Sequence, residues 1–473
     1  MGYRPARSLL NLTSLRGIRY PGLLASGFIL VVSVASIIRE RPYFGNMDDG
    51  QFIELAGSRG PWGFVLWWDH VANGSIRYVS LAMLWPIYRL GHDLGPTSLF
   101  IANAVVVLLC LLAFWRAFEP SLPRRSSAAT VTFIGVAMLW PFSADLIFFP
   151  SLQEKFVILG AAAVLAWIRS VPRGPVPLKS WLLFAFVIAF ALPTKLHIVV
   201  FVPALVLAMW LAARGEQARL TRGGWQIASA VLICASIVIV VLAARGGYTR
   251  SRRGSLLDVS RLVEWRFLVL ALTAAALCLW LVFNRPWRRW SAPREAEADL
   301  LPLVMLIAMV GTFLVWDVVQ RYLTVVSVMV GAAAAVQVVR LGPRVGACVA
   351  AASLALAGIW LTVRLPQVFG SHGSFGEFIR SETASSLSVD RATVYSTCFE
   401  APERYAYYAA VEGVEGIRFA WWDESSPMWG DQDSRLVLAD GILCPVSDSR
   451  RAEAVLRWRA ETGRGFQLLE VVP

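Results

Sequence analysis

Residues 21–38 read PGLLASGFILVVSVASII, and residues 46–52, a few positions later, read NMDDGQF. A helix needs about 20 apolar residues to cross the hydrocarbon core of a bilayer, and the first stretch comes close to that length. Asp48 and Asp49 stand shortly beyond this run. The two stretches together predict a membrane helix that ends beside an acidic pair.

Composition extends this prediction to the whole chain. Of the 473 residues, 57% are hydrophobic and only 16% are charged, whereas soluble domains carry about 25% charged residues. The formal net charge of +12 comes from basic residues that lie in short loops between apolar runs, which is typical of a topology signal. We therefore predict an α-helical polytopic membrane protein whose partners include membrane lipids and no nucleic acid.

Further apolar runs of sufficient length give about eleven predicted spans. They lie near 20–38, 98–115, 128–149, 156–168, 180–193, 196–213, 225–244, 266–284, 300–316, 322–339 and 345–363. If the spans alternate, every loop on the side of the N-terminus is basic, as the positive-inside rule requires. The N-terminus is therefore expected in the cytoplasm. Residues 76–90, which contain Arg77, Pro86 and Arg89, are expected to form an amphipathic helix on the outer face.

The composition changes after about residue 365, where strand-like runs alternate with the helix-like segments PERYAYYAAVEG and DSRRAEAVLRWRAETG. We predict a transmembrane domain over 1–364 and a small α/β domain over 365–473, placed outside the cytoplasm by the odd number of spans. Cys398 and Cys444 each follow a predicted strand. An oxidising compartment would allow a disulfide between them, and the sequence does not decide whether one forms.

This topology places unusual polar residues in loops on the outer side. They are Asp48 and Asp49 in the first loop, Asp145, Glu154 and Lys155 in the second, Lys195 and His197 in the third, Arg250, Arg252 and Arg253 in the fourth, and Gln320, Arg321 and Tyr322 in the fifth. An arginine-rich outer loop departs from the positive-inside rule. Binding of an anionic substrate and contact with anionic lipid headgroups both explain it.

Structural interpretations of these residues stay open beside the functional ones. Asp145 and Glu154 can be solvated loop acids, and Lys155 can be an anchor at the membrane interface. Arg321 follows Asp317 by one helical turn and can simply pair with it. For the pair Asp48 and Asp49, helix capping is the alternative, although capping needs only one aspartate.

The order of these features resembles the GT-C superfamily of membrane glycosyltransferases. The resemblance is carried by one helix followed by an acidic pair, by DDG followed by NGSIRYVSLAML, by a second acidic site after a later helix, and by the late stretch QRYL. It implies a sugar donor linked to polyprenyl phosphate, an acceptor hydroxyl in the cell envelope and a bacterial inner membrane. It also implies inverting transfer, with Asp48 or Asp49 as the base.

The chemistry of sugar transfer gives these residue types a purpose. A carboxylate takes the acceptor proton, and arginine or lysine stabilises the leaving phosphate. A divalent cation, Mg²⁺ or Mn²⁺, held by Asp48, Asp49 and Glu154 is an option that the sequence leaves open. Two alternatives also remain: a flippase or polymerase of lipid-linked glycans, and a secondary transporter, which would show internal repeats.

Overall fold

A computed structural model describes residues 20–43, 49–71, 77–122, 124–172, 174–194, 196–214, 220–245, 272, 275, 293–315, 320–396, 402–422, 435–440, 452, 454–459 and 466–471. The first helices are α1 (Pro21–Glu40), α2 (Asp49–Ser58), α3 (Pro61–Val71), α4 (Tyr78–Leu94), α5 (Pro96–Phe118), α6 (Ser127–Leu139), α7 (Ser143–Phe148) and α8 (Glu154–Ser170). They are followed by α9 (Leu178–Ala191), α10 (Val202–Ala212), α11 (Arg222–Arg245), α12 (Pro293–Val315), α13 (Val326–Arg340), α14 (Pro343–Ile379), α15 (Glu382–Val389) and α16 (Pro402–Val411). Short 3-10 segments cover Glu119–Ser121, Leu192–Thr194, Leu196–Phe201 and Gln320–Val325.

Five of the described helical stretches are long and apolar enough to cross a membrane. They are Pro21–Glu40, Pro96–Ser121, Arg222–Val241, Leu323–Arg340 and Pro343–Pro366. The predicted class, a helical polytopic membrane protein, is thereby confirmed. The count of about eleven spans stays a prediction, since most of the run 266–284 lies outside the described residues.

The run 128–149, predicted as one span, is two helices. α6 ends at Leu139, and α7 begins at Ser143. Trp140 between them is extended, with φ −56° and ψ 131°, because a residue before proline is disfavoured in the helical region and Pro141 follows it. The break turns the chain at one end of the bundle, where α7 forms a short buried helix.

Small residues allow the helices to approach closely. A Cβ atom added to Gly135 of α6 would lie 2.8 Å from the backbone carbon of Ser353 in α14. On α13, a Cβ atom at Gly331 would lie 2.9 Å from the carbonyl oxygen of Phe133. Membrane helices pack through such positions because lipid supplies little hydrophobic force between them.

The two ends of the helix bundle are distinguished here by the first and last turns of α8. Its first residue, Glu154, lies at the end here called the acidic end, and Arg169 in its last turn lies about 22 Å away at the opposite end. The opposite end is tied by buried ion pairs. Arg169 pairs with Glu297, and Arg340 donates at 2.7 Å to both carboxylate oxygens of Asp299.

The C-terminal part forms a mixed sheet of five strands in the order β2-β1-β3-β5-β4. The strands are β1 (Thr393–Ser396), β2 (Arg418–Trp421), β3 (Arg435–Asp440), β4 (Ala454–Arg459) and β5 (Phe466–Val471). β1 pairs in parallel with β2 and β3, whereas β5 pairs antiparallel with β3 and β4. The predicted boundary between 364 and 365 falls inside the continuous helix α14, so the division into domains stays a prediction.

One C-terminal prediction was wrong. The segment 448–463 was expected to be helical, but its middle is β4, an edge strand paired with β5. Alanine, glutamate, leucine and arginine favour a helix locally, and pairing in the sheet outweighs that preference here. Arg457 of β4 also forms an ion pair with Glu470 of β5.

Candidate active site

Four of the predicted site residues have described side chains: Asp49, Asp145, Glu154 and Lys155. The structure describes only the backbone of His197, Gln320, Arg321 and Tyr322, within the two 3-10 segments Leu196–Phe201 and Gln320–Val325. Asp48, Lys195, Arg250, Arg252 and Arg253 lie outside the described residues. The same holds for Cys398 and Cys444, so the disulfide considered between them is not tested. The roles of all these residues stay predictions.

Asp49 is the first residue of α2, and its side chain is fully buried. The Tyr88 hydroxyl, reaching from α4, donates a hydrogen bond to Oδ1 of Asp49. The position of Asp49 in the first turn also places its negative charge at the favourable end of the helix dipole. A buried carboxylate needs such partners because its removal from water is costly.

Arg89, which follows Tyr88 on α4, holds the C-terminal end of α2. Nη1 of Arg89 donates to the carbonyl oxygens of Ala56 at 3.2 Å and Gly57 at 3.1 Å, in the last turn of the helix. These carbonyls have no partner within a helix that ends there. Consecutive residues of α4 therefore hold the two ends of the helix that carries Asp49.

An exposed cluster on α4 completes this contact. Nε of Arg89 lies 2.8 Å from the carboxylate of Asp93, and Nδ1 of His92 lies 3.0 Å from it. Hydrogen bonds from His92 and Arg89 hold the pKa of Asp93 below its ordinary value of 3.8. The helix predicted over 76–90 is confirmed as α4, and its buried face contains Leu81, Leu84 and Tyr88 at helical spacing.

The second acidic site is buried as well. Asp145 lies on α7 with 6% of its surface exposed, and Glu154 and Lys155 at the start of α8 are fully buried. Nζ of Lys155 donates to the carbonyl oxygen of Pro150 at 2.6 Å and lies 5.2 Å from the ring centroid of Phe156. The interpretations as solvated acids and as an interface anchor are therefore wrong, since each would leave these side chains exposed.

Three buried side chains fix the segments that carry predicted site residues. Asn103 of α5 binds the end of α7, Ser80 of α4 donates to the carbonyl of Thr194, and the indole of Trp140 donates to the carbonyl of Leu323 at 3.0 Å. Thr194 directly precedes Lys195, and Leu323 directly follows the stretch Gln320, Arg321 and Tyr322. Side chains inside the bundle thus position three of the predicted loops.

These segments share the acidic end. The 3-10 segment Leu192–Thr194 packs against α4 and α8, and the segment Gln320–Val325 packs against α7 and α8. α2 in turn packs on α4. The predicted first, second, third and fifth loops therefore form one contiguous region. The fourth loop lies outside the described residues.

Sequence reasoning missed Tyr88, Asn103 and Ser80. A lone asparagine within the apolar run IANAVVVLL is a usable signal, because polar residues in membrane spans are rare and need a reason. No comparable signal separates Tyr88 from the aromatic residues that collect at membrane interfaces. Its role follows only from the three-dimensional contact with Asp49.

The described part of the chain contains no group of three or more His, Cys, Asp or Glu side chains that could hold a metal ion. Asp49, Asp145 and Glu154 therefore do not form a metal site among themselves. Asp48, the remaining predicted ligand, lies outside the described residues.

No protein-family model and no curated protein matches the chain. Two solved structures do match, and both are ArnT from Cupriavidus metallidurans. The structure bound to undecaprenyl phosphate is 15% identical, has a TM-score of 0.51, and aligns over 95% of this chain and 98% of that chain. The apo structure is 14% identical, has a TM-score of 0.54, and aligns over 95% and 97%.

At this level of identity the similarity shows the fold. The chain shares its fold with ArnT over nearly its whole length, in agreement with the helical membrane fold expected from the sequence.

Proposed function

We propose that this protein is a glycosyltransferase that moves a sugar from a polyprenyl-phosphate donor to a hydroxyl group of a cell-envelope acceptor. The ArnT structures carry the first part of this proposal, because ArnT is a polyprenyl-phosphate-dependent glycosyltransferase and one of its structures holds undecaprenyl phosphate. The observation that carries the chemistry is Asp49, a fully buried carboxylate at the acidic end that accepts a hydrogen bond from Tyr88.

The reaction we propose is a single displacement at the anomeric carbon of the sugar. The acceptor oxygen forms a bond to that carbon from the face opposite the phosphate, while the bond between the carbon and the phosphate oxygen breaks. The carboxylate of Asp48 or Asp49 takes the proton of the acceptor hydroxyl. The products are an inverted glycoside and a polyprenyl phosphate that carries away the bonding electron pair.

The leaving phosphate needs positive charge where its own negative charge develops. We assign this task to cationic residues of the predicted outer loops: Lys155, Lys195, His197, Arg250, Arg252, Arg253 and Arg321. Gln320 and Tyr322 are proposed to contact the donor, and Asp145 and Glu154 to balance these charges. The burial of Lys155 supports this view, because an ammonium ion is rarely taken out of water without a use.

We propose that the acidic end faces outward from a bacterial inner membrane, so that the transfer occurs at the outer leaflet. The opposite end of the bundle carries Arg116, Arg124, Arg169 and Arg340. Cytoplasmic ends of membrane helices are enriched in such residues, which supports a cytoplasmic N-terminus. The C-terminal sheet then lies outside as a separate domain, 365–473, next to the transmembrane domain 1–364.

The test is transfer from radiolabelled polyprenyl-phosphate sugars by the purified protein in lipid nanodiscs. We expect turnover by the wild type, and a loss of about 100-fold or more in Asp48→Asn or Asp49→Asn. Asp390→Asn, at an exposed aspartate on the C-terminal side of α15, is the control for the loss of one carboxylate.

Full turnover in both variants would remove the acidic pair from the mechanism. Movement of a lipid-linked glycan across the membrane without any transfer would instead favour the flippase alternative.

A further inference from the structure

Tyr88 places a phenol against the one described member of the acidic pair. We infer that Tyr88 is a positioning residue that holds the Asp49 carboxylate in the orientation in which it acts. This role rests on the proposed function, because it gives Asp49 a part in sugar transfer. Tyr88 itself does not have to touch the substrate.

The phenol has little freedom to point elsewhere. Tyr88 is fully buried on α4, and its ring lies 5.0 Å from the ring of Phe52, with an angle of 48° between the planes. Phe52 belongs to α2, and its own ring lies 5.4 Å from that of Phe64 on α3. Three helices therefore pack around the tyrosine, and the position of its hydroxyl follows from that packing.

The position of the donor relative to the carboxylate fits the role. The hydroxyl of a buried tyrosine donates to one oxygen of a buried carboxylate, and a satisfied buried hydrogen bond makes both groups rigid. The first turn of α2 adds the favourable end of a helix dipole. Asp49 is thus held as an acceptor inside the protein, and the tyrosine bond also restricts rotation of its carboxylate plane.

A second residue of α4, Arg89, also contacts α2. Arg89 binds two carbonyls in the last turn of α2, about 11 Å from its first residue, so α2 cannot tilt away from Tyr88 without breaking a second contact. The two contacts together hold α2 in both position and direction.

The experiment compares Tyr88→Phe with the wild type in the same transfer assay. The variant keeps the ring and its contact with Phe52 and loses only the hydroxyl group. We expect kcat to fall about 10- to 100-fold, the loss that is typical when the hydrogen-bond partner that orients a metal ligand is removed. KM for the donor should change by less than about twofold, because an effect on kcat alone marks an interaction used in the transition state.

Tyr43→Phe is the matched control. Tyr43 is also buried and belongs to the same contiguous group of buried apolar residues as Tyr88, Phe52 and Phe64. Its hydroxyl donates to the carbonyl oxygen of Tyr408 at 3.4 Å. It should keep the kcat of the wild type. If Tyr88→Phe lowers the yield of folded protein, 3-fluorotyrosine at position 88 keeps the hydroxyl and changes its acidity. A changed kcat at an unchanged unfolding temperature then supports the role.

The outcomes separate the two proposals. An inactive Asp49→Asn together with a Tyr88→Phe variant that turns over like the wild type would overturn the role of Tyr88 and leave the proposed function standing. A loss in Tyr88→Phe that Tyr43→Phe shares, or that equals the loss of folded protein, would also overturn it. Absence of transfer by the wild type from every donor would overturn the proposed function itself.

Discussion

Asn103 of α5 binds the end of α7 from within a membrane helix. Its side-chain nitrogen lies 2.7 Å from the carbonyl oxygen of Leu146 and 2.8 Å from that of Ile147. α7 has only six residues, so it has no continuing turn to satisfy these carbonyls. The amide replaces that turn and holds the helix that carries Asp145.

Asn103→Leu should therefore destabilise the protein and reduce transfer activity. We expect a loss of about 1–3 kcal/mol in the free energy of unfolding, because two buried carbonyls lose their donor. Thermal unfolding in detergent measures this loss. Ser33→Ala, which removes a buried hydroxyl that bonds only within its own helix to the carbonyl of Ile29, is the control and should change little. Equal stability of the two variants would contradict the role of Asn103.

The contact between α6 and α14 depends on the absence of a side chain at Gly135. Gly135→Ala should lower the unfolding temperature, since the added Cβ atom meets the backbone at Ser353 and overpacking costs about 1–3 kcal/mol. Gly27→Ala on α1 is the control, because a Cβ atom there meets nothing within 4 Å. We expect Gly27→Ala to be neutral or stabilising, as alanine is the better helix former. The reverse order of the two unfolding temperatures would disprove this packing.

The opposite end of the bundle should be sensitive to the loss of either partner in its ion pairs. Glu297→Leu leaves the largely buried Arg169 facing an apolar side chain, and breaking such a pair costs about 3–5 kcal/mol. Arg169→Met with Glu297→Leu removes both charges and should recover much of that loss. A double-mutant cycle of unfolding free energies tests this coupling. The exposed pair Arg39 and Glu40 is the control and should show a coupling below about 1 kcal/mol.

Asp93 makes a stabilising contribution that depends on pH. Hydrogen bonds from His92 and Arg89 lower its pKa in the folded protein, so the contribution is present above the unfolded value and disappears as pH falls through the folded value. Asp93→Asn should therefore lower the unfolding temperature at pH 7, and the difference from the wild type should shrink below about pH 4. A difference that stays constant from pH 7 to pH 3 would exclude this linkage.

Much of the fold could be predicted from the sequence, because the length of an apolar run indicates a membrane helix. The run 21–38 became α1, and the alternating C-terminal runs became β1, β2, β3 and β5. Breaks inside apolar runs were harder, since hydropathy does not register the conformational restriction that Pro141 imposes on Trp140. β4 was missed because a strand at the edge of a sheet depends on its partner more than on its own residues.

The acidic residues of the candidate site could be predicted from the sequence, whereas the residues that hydrogen-bond to them could not. Asp49, Asp145 and Glu154 stand out as carboxylates in an apolar chain, and the structure buries all three. Tyr88 lies 39 positions from Asp49, and no local pattern connects the two. Contacts of this kind depend on how α2 packs against α4, which sequence spacing does not encode.

The long helix α14 has a mechanical consequence. Its 37 residues extend for about 55 Å, from the opposite end of the bundle past the candidate span that ends at Pro366, to Phe378, whose ring lies 5.3 Å from that of Trp458 in β4. The helix is continuous from the candidate span to the C-terminal sheet, with Pro366 inside it. Each residue of a helix contributes about 100° of rotation, so deleting one residue between 367 and 374 would rotate the sheet by more than a quarter turn about the axis of α14.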